Sequence, residues 1–110
     1  MISEMGRTPM KLRPVDFSLL DELTEGRNVA GNLHQLLDVS RQYVNERMGL
    51  LHDYGLIERV GPNESVGLYE ITESGHAALE LREYYGEIED FDAAIEDYLA
   101  GNFDPGELEE

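Results

Sequence analysis

Between Ser40 and Arg47 the chain reads Ser-Arg-Gln-Tyr-Val-Asn-Glu-Arg. Ser40, Arg41, Gln42, Tyr43, Asn45 and Arg47 carry donors and acceptors that suit base edges and phosphates. Either arginine can bind guanine or phosphate, the amides of Gln42 and Asn45 match adenine, and Tyr43 can meet a phosphate or a thymine methyl. Glu46 can accept from cytosine, although a solvated or arginine-paired carboxylate is the simpler account of it. This is recognition chemistry, and no bond is made or broken. A polar helix face facing solvent carries the same residue types, so the assignment depends on the elements around it.

The helix that must carry these residues is marked at both ends. Ser40 is a good N-cap, because its hydroxyl can accept from the free N–H groups of the first turn. Gly55 can take the left-handed conformation that ends a helix. Between them Val44, Met48 and Leu51 recur at helical spacing and define one apolar face. Upstream, a first helix is expected from Pro14 to Thr24, with Asp16 in its first turn, Leu19, Leu20 and Leu23 as its buried stripe, and Gly26 past its end. Asn28 is expected to cap a second helix over Val29 to Leu37, in which Gly31 costs about 1 kcal/mol relative to alanine. Asp38 and Val39 then turn the chain into Ser40. Two short helices joined by such a turn are the helix-turn-helix pattern.

Downstream, Leu56–Val60 and Leu68–Ile71 are rich in branched apolar residues, and Gly61 to Gly67 between them is rich in turn formers, so a β-hairpin is expected. A hairpin directly after such a helix is a wing. Thr72 caps a further helix that tolerates Gly75 and runs through Ala78, Leu79 and Leu81.

Composition sets the outer limits. A chain of 110 residues makes one domain with a modest core. It has no cysteine, which excludes disulfides, thiolate metal sites and cysteine nucleophiles. No apolar run approaches the roughly 20 residues that span a membrane, and no signal-peptide core follows Met1, so a cytoplasmic protein is expected. Net charge is −16, which opposes contact with a polyanion. The charge is uneven: residues 1–60 hold seven Lys/Arg against nine Asp/Glu, and residues 61–110 hold one against fifteen. The near-neutral half contains the candidate helix. Scarce lysine, abundant acid and few aromatics resemble the proteins of haloarchaea, in whose salty cytoplasm a Debye length of about 3 Å would screen the repulsion. An acidic mesophile protein that avoids DNA is the alternative reading of the same composition.

His34, His52 and His76 lie on different elements without metal-site spacing, and no nucleophile triad, phosphate loop or paired carboxylate stands out. No enzyme activity, metal or cofactor is expected.

The order helix, helix, Ser40-capped helix, hairpin resembles the winged helix-turn-helix transcriptional regulators of archaea and bacteria, and among them small haloarchaeal regulators related to a phage repressor. Asp53-Tyr54-Gly55-Leu56-Ile57 and Tyr69-Glu70-Ile71-Thr72-Glu73-Ser74-Gly75 carry the resemblance most sharply, within residues 14–85. It implies an α+β, mostly helical fold with a two-stranded wing and a C-terminal helical extension. By position it puts Ser40, Arg41, Gln42, Tyr43, Asn45 and Arg47 towards the major groove, and a wing tip at Asn63, Glu64 and Ser65 beside the backbone or minor groove. The wing departs from the pattern, because Glu64 stands at its tip and no base occurs between Arg59 and Arg82.

In the last third, Leu81, Tyr84, Ile88, Phe91, Ile95 and Tyr98 fall at alternating spacings of three and four, an a/d seam. Gly86 interrupts it and Asp90 can cap a fresh helix, so one segment or two fit equally. The seam suits a homodimer, and folding back onto the chain's own domain is the alternative. The chain is thus divided into a flexible arm (1–13), the winged domain (14–85), an acidic helix (86–100) and a disordered tail (101–110). The expected function is sequence-specific binding of double-stranded DNA as a transcriptional repressor, two copies reading a near-palindrome whose grooves lie about 34 Å apart. A protein-contact module of transcription or replication machinery that does not bind DNA is the rival. A ligand-sensing regulator with an unknown small-molecule effector is a third reading.

Overall fold

The computed structural model describes residues 10–26, 28–60 and 68–104. Helices α1 (Pro14–Leu23), α2 (Ala30–Leu37) and α3 (Arg41–Asp53) pack together; a short strand β1 (Asn28–Val29) precedes α2, and β2 (Ile57–Val60) and β3 (Leu68–Ile71) follow α3. Helix α4 (Glu73–Glu80), a 3-10 helix (Arg82–Glu87) and α5 (Phe91–Leu99) complete the chain.

Each element starts and stops for a local reason. Pro14 supplies the fixed φ that suits the first position of α1, and the Asp16 carboxylate accepts the Arg13 backbone N–H at 2.7 Å. Leu19, Leu20 and Leu23 are buried as expected, and Gly26, at φ +133°, turns the chain out of the helix. Asp38 makes the turn between α2 and α3 at φ +57°, a conformation that aspartate tolerates better than most residues. At the end of α3 the Gly55 N–H donates to the His52 carbonyl and the Leu56 N–H to the Leu51 carbonyl, a Schellman stop that needs the positive φ (+81°) of Gly55. Leu51 and Leu56, which this stop brings together, are both fully buried.

The sheet is antiparallel, in the order β1-β3-β2. Its wing strands pair Ile57 with Ile71 and Val60 with Leu68, as the hairpin requires. The third strand corrects the sequence expectation: Asn28 and Val29 pair with Tyr69 and Leu68 rather than opening the second helix, which begins at Ala30. Two residues are too few to show an alternating pattern. Thr72 ties the wing to α3. Its N–H donates to the Leu56 carbonyl (3.0 Å), its hydroxyl donates to the Gly55 carbonyl (2.7 Å), and its oxygen accepts the Gly75 N–H (3.1 Å) to cap α4.

The C-terminal third folds back on the domain, which corrects the dimer seam. Leu81, Phe91 and Ile95 are buried in the chain's own core, Tyr84 and Ile88 are half-buried against it, and of the six only Tyr98 is exposed. The chain forms two segments, with Asp90 accepting the Ala93 N–H to cap α5. Aromatic packing explains the return: Phe17 of α1, Tyr85 and Phe91 stack edge to face, with centroids 4.9–6.3 Å apart. The ends of the domain shift as well. Leu12 is buried, with its N–H donating to the Tyr85 hydroxyl at 2.7 Å, so residue 12 belongs to the packed domain rather than to the arm expected over residues 1–13. Phe103, expected in the tail, packs 6.0 Å from Tyr84. Among the described residues no helix is long and apolar enough to cross a membrane.

Candidate nucleic-acid interface

Helix α3 starts as the sequence predicts, with the Ser40 hydroxyl oxygen accepting the Tyr43 N–H at 3.1 Å. Ser40→Ala should cost about 1 kcal/mol, read as a lower urea midpoint at unchanged slope, because one first-turn donor loses its partner. Helices α1, α4 and α5 carry Asp16, Glu73 and Asp92 in their first turns, whereas α2 and α3 carry no acid there. The positive dipole end of α3 therefore stays open to an outside anion, despite the acidity of the chain.

Val44, Met48 and Leu51 face inward and are buried. Arg41, Gln42, Asn45 and Glu46 are exposed and Tyr43 is half-buried beside them. The side chains of Arg41, Gln42 and Asn45 make no hydrogen bond or ion pair among the described residues.

Arg47 is the correction. It is 8% exposed, and its guanidinium grips the fully buried Asp16 carboxylate in a two-point pair, Nε to Oδ1 at 2.8 Å and Nη2 to Oδ2 at 2.6 Å. That hydrogen bond is the main cause that raises the Arg47 pKa, and the guanidinium stays charged. Arg47 cannot both hold Asp16 and reach a base. It fastens α3 to the start of α1, where Asp16 also holds the Arg13 N–H.

The wing residues Asn63, Glu64 and Ser65 lie outside the described residues. On the described part of the wing, Arg59 stands opposite Tyr69 across the strands. Its Nη2 donates to the Tyr69 hydroxyl at 2.8 Å, and its guanidinium carbon lies 5.4 Å from the ring centroid. His52 meets the same ring edge to face at 6.5 Å. Together with Asn45, Glu46, Gly49 and Asp53 these residues line an open groove of about 570 Å³ between α3 and the sheet. Sequence reasoning did not single out Arg59; its place directly across from an aromatic residue in the hairpin register was the available signal.

The histidines remain apart. His34 Nδ1 lies 3.3 Å from the Val39 carbonyl and braces the turn before α3, and His76 is exposed on α4. Among the described residues no group of three or more His, Asp or Glu is placed to hold a metal.

No protein-family model matches the chain, and no curated protein matches it in sequence. Among solved structures, the adhesin competence repressor from Streptococcus pyogenes is similar, with a match that covers 98% of this chain and 78% of that one at a TM-score of 0.56 and 19% identity. At that identity the likeness concerns the backbone alone. Together with the helix-turn-helix α2–α3, the antiparallel wing β2–β3 and the helical extension, it shows that the chain has the winged helix-turn-helix fold.

Proposed function

We propose that the chain is a sequence-specific DNA-binding transcriptional regulator that presents the exposed face of α3 to the major groove and represses by occupying a promoter. The observation that carries this is the conjunction on α3 of Arg41, Gln42 and Asn45, exposed and without partners among the described residues, at a Ser40-capped helix start free of acid. In a chain with 24 acidic residues, a helix start with no acid in its first turn repels a phosphate less than one that carries a carboxylate there. The similar streptococcal protein is itself a repressor. The proposal extends to two copies on a near-palindromic site and to a salt-rich, haloarchaeal cytoplasm, for which the single lysine and the net charge of −16 speak.

Arg41→Ala tests the face. Operator affinity should fall by about 1–3 kcal/mol, roughly 5- to 150-fold, while the thermal midpoint stays within about 2 °C of the parent. Unchanged affinity would remove Arg41 from the interface.

A second reading is a protein-contact module. Glu46 and Asp53 are exposed on α3 itself, and the chain after residue 60 holds fifteen acids against one base. A protein that is folded in concentrated salt yet binds no genomic fragment above background would favour it.

A further inference from the structure

We infer that α3 reads its operator through adenine, by Gln42 and Asn45, and that Glu46 selects cytosine, so that guanine-directed arginine plays little part at the centre of the site. This rests on the reading that α3 enters the major groove. The structure removes one of the helix's two arginines: Arg47 is locked to Asp16. At about 100° per residue, Gln42, Asn45, Glu46 and Gly49 span a sector of about 100° opposite Val44, Arg47, Met48 and Leu51. Arg41 lies at the margin of that sector, close to the buried stripe. Over residues 42–49 the centre of the exposed face therefore holds two amides, a carboxylate and a glycine, and Asp53 adds a second carboxylate in the same sector at the C-terminal end of the helix. A Cβ added at Gly49 would meet nothing within 4 Å, so the backbone is bare there and the neighbouring side chains can approach a base edge closely.

The chemistry of the face decides what it can read. An Asn or Gln amide matches the acceptor and donor of adenine (N7 and N6), and two such residues three apart rise about 4.5 Å along the helix, between one and two base-pair steps of about 3.4 Å. A carboxylate accepts from the N4 amino group of cytosine, and it is repelled by the acceptors of guanine (O6, N7) and thymine (O4). Glu46 thus vetoes guanine on the strand that it faces. These contacts involve no phosphate and release no counterions, so discrimination between bases should persist in salt that removes most of the backbone attraction.

Selection of bound duplexes from a random library, with the full chain in about 2 M KCl, tests this, because backbone attraction is largely suppressed there. The parent should enrich two adenines, adjacent or one step apart, and a neighbouring cytosine on the contacted strand. Asn45→Ala and Gln42→Ala should each lower discrimination at one adenine by about 5-fold or more, and Glu46→Ala should relax the cytosine position. All three positions are exposed, and circular dichroism should show each variant folded. An enriched motif whose base preferences are the same in all three variants would overturn the adenine reading while leaving DNA binding in place. The absence of any enriched motif with the folded parent would overturn both.

Discussion

Arg47→Ala should destabilise the protein by about 3–5 kcal/mol, because it leaves a buried carboxylate without its counter-charge. Asp16 is 0% exposed and takes two of its three hydrogen bonds from this guanidinium. For a domain of this size the loss should lower the thermal midpoint by more than about 12 °C. Concentrated salt should not reproduce the effect in the parent, since a buried pair is poorly screened. The double substitution Asp16→Leu with Arg47→Met should recover most of the stability, as apolar replacement of a buried pair often does. The raised Arg47 pKa keeps the pair intact up to strongly alkaline pH, so no loss of its contribution is expected at mildly alkaline pH. Calorimetry of the three proteins decides between this role and a surface one: an Arg47→Ala midpoint near the parent's would mean that the side chain is free after all. Its DNA affinity should be compared only where the variant remains folded.

Gly75→Ala should cost about 2–3 kcal/mol, although the position lies in a helix where alanine is ordinarily preferred. Its Cβ would run into the Leu56 carbonyl oxygen and the Ile71 side chain, which packs 2.5 Å from the ideal Cβ position. The carbonyl cannot yield cheaply, because it accepts the Thr72 N–H at the junction of α3 and the wing. Gly49→Ala is the control, since its Cβ meets open space; it should gain about 0.5–1 kcal/mol. Urea unfolding of the two variants should move in opposite directions. A Gly75→Ala midpoint at or above the parent's would refute the close approach.

These two residues also show how far the sequence could be read. The fold was legible because its punctuation is local: Ser40, Gly55, Thr72 and Asp90 all cap or stop the helices that their types suggested. The two sharpest motifs proved to be parts of one joint, in which Thr72 bonds the Gly55 and Leu56 backbone and Gly75 sits beneath it. What a residue faces across the core was harder to read, yet one signal was present. Val44, Arg47, Met48 and Leu51 follow the i, i+3, i+4, i+7 stripe, as do Asp16, Leu19, Leu20 and Leu23. Each stripe lacks one apolar member, and the two substitutes are opposite charges. Arginine in a polar turn suggested an outward side chain, and the complementary charge in α1 supplied the inward one. The seam failed for a related reason: Leu81, Phe91 and Ile95 have the periodicity of a dimer helix, but Phe17 and Tyr85 offered a partner within the same chain. Strand β1 left no periodicity to find.

Binding of the parent and Arg41→Ala to labelled genomic fragments, by fluorescence anisotropy in about 2 M KCl and again in dilute buffer, bears most directly on the role of α3, because salt governs both folding and phosphate contact. Saturable binding of the parent to particular fragments in concentrated salt, weakened by about 5-fold or more in an equally stable Arg41→Ala, is the expected result. A folded parent that binds no fragment above background in either buffer, or an Arg41→Ala variant that binds the same fragments equally well, would contradict it.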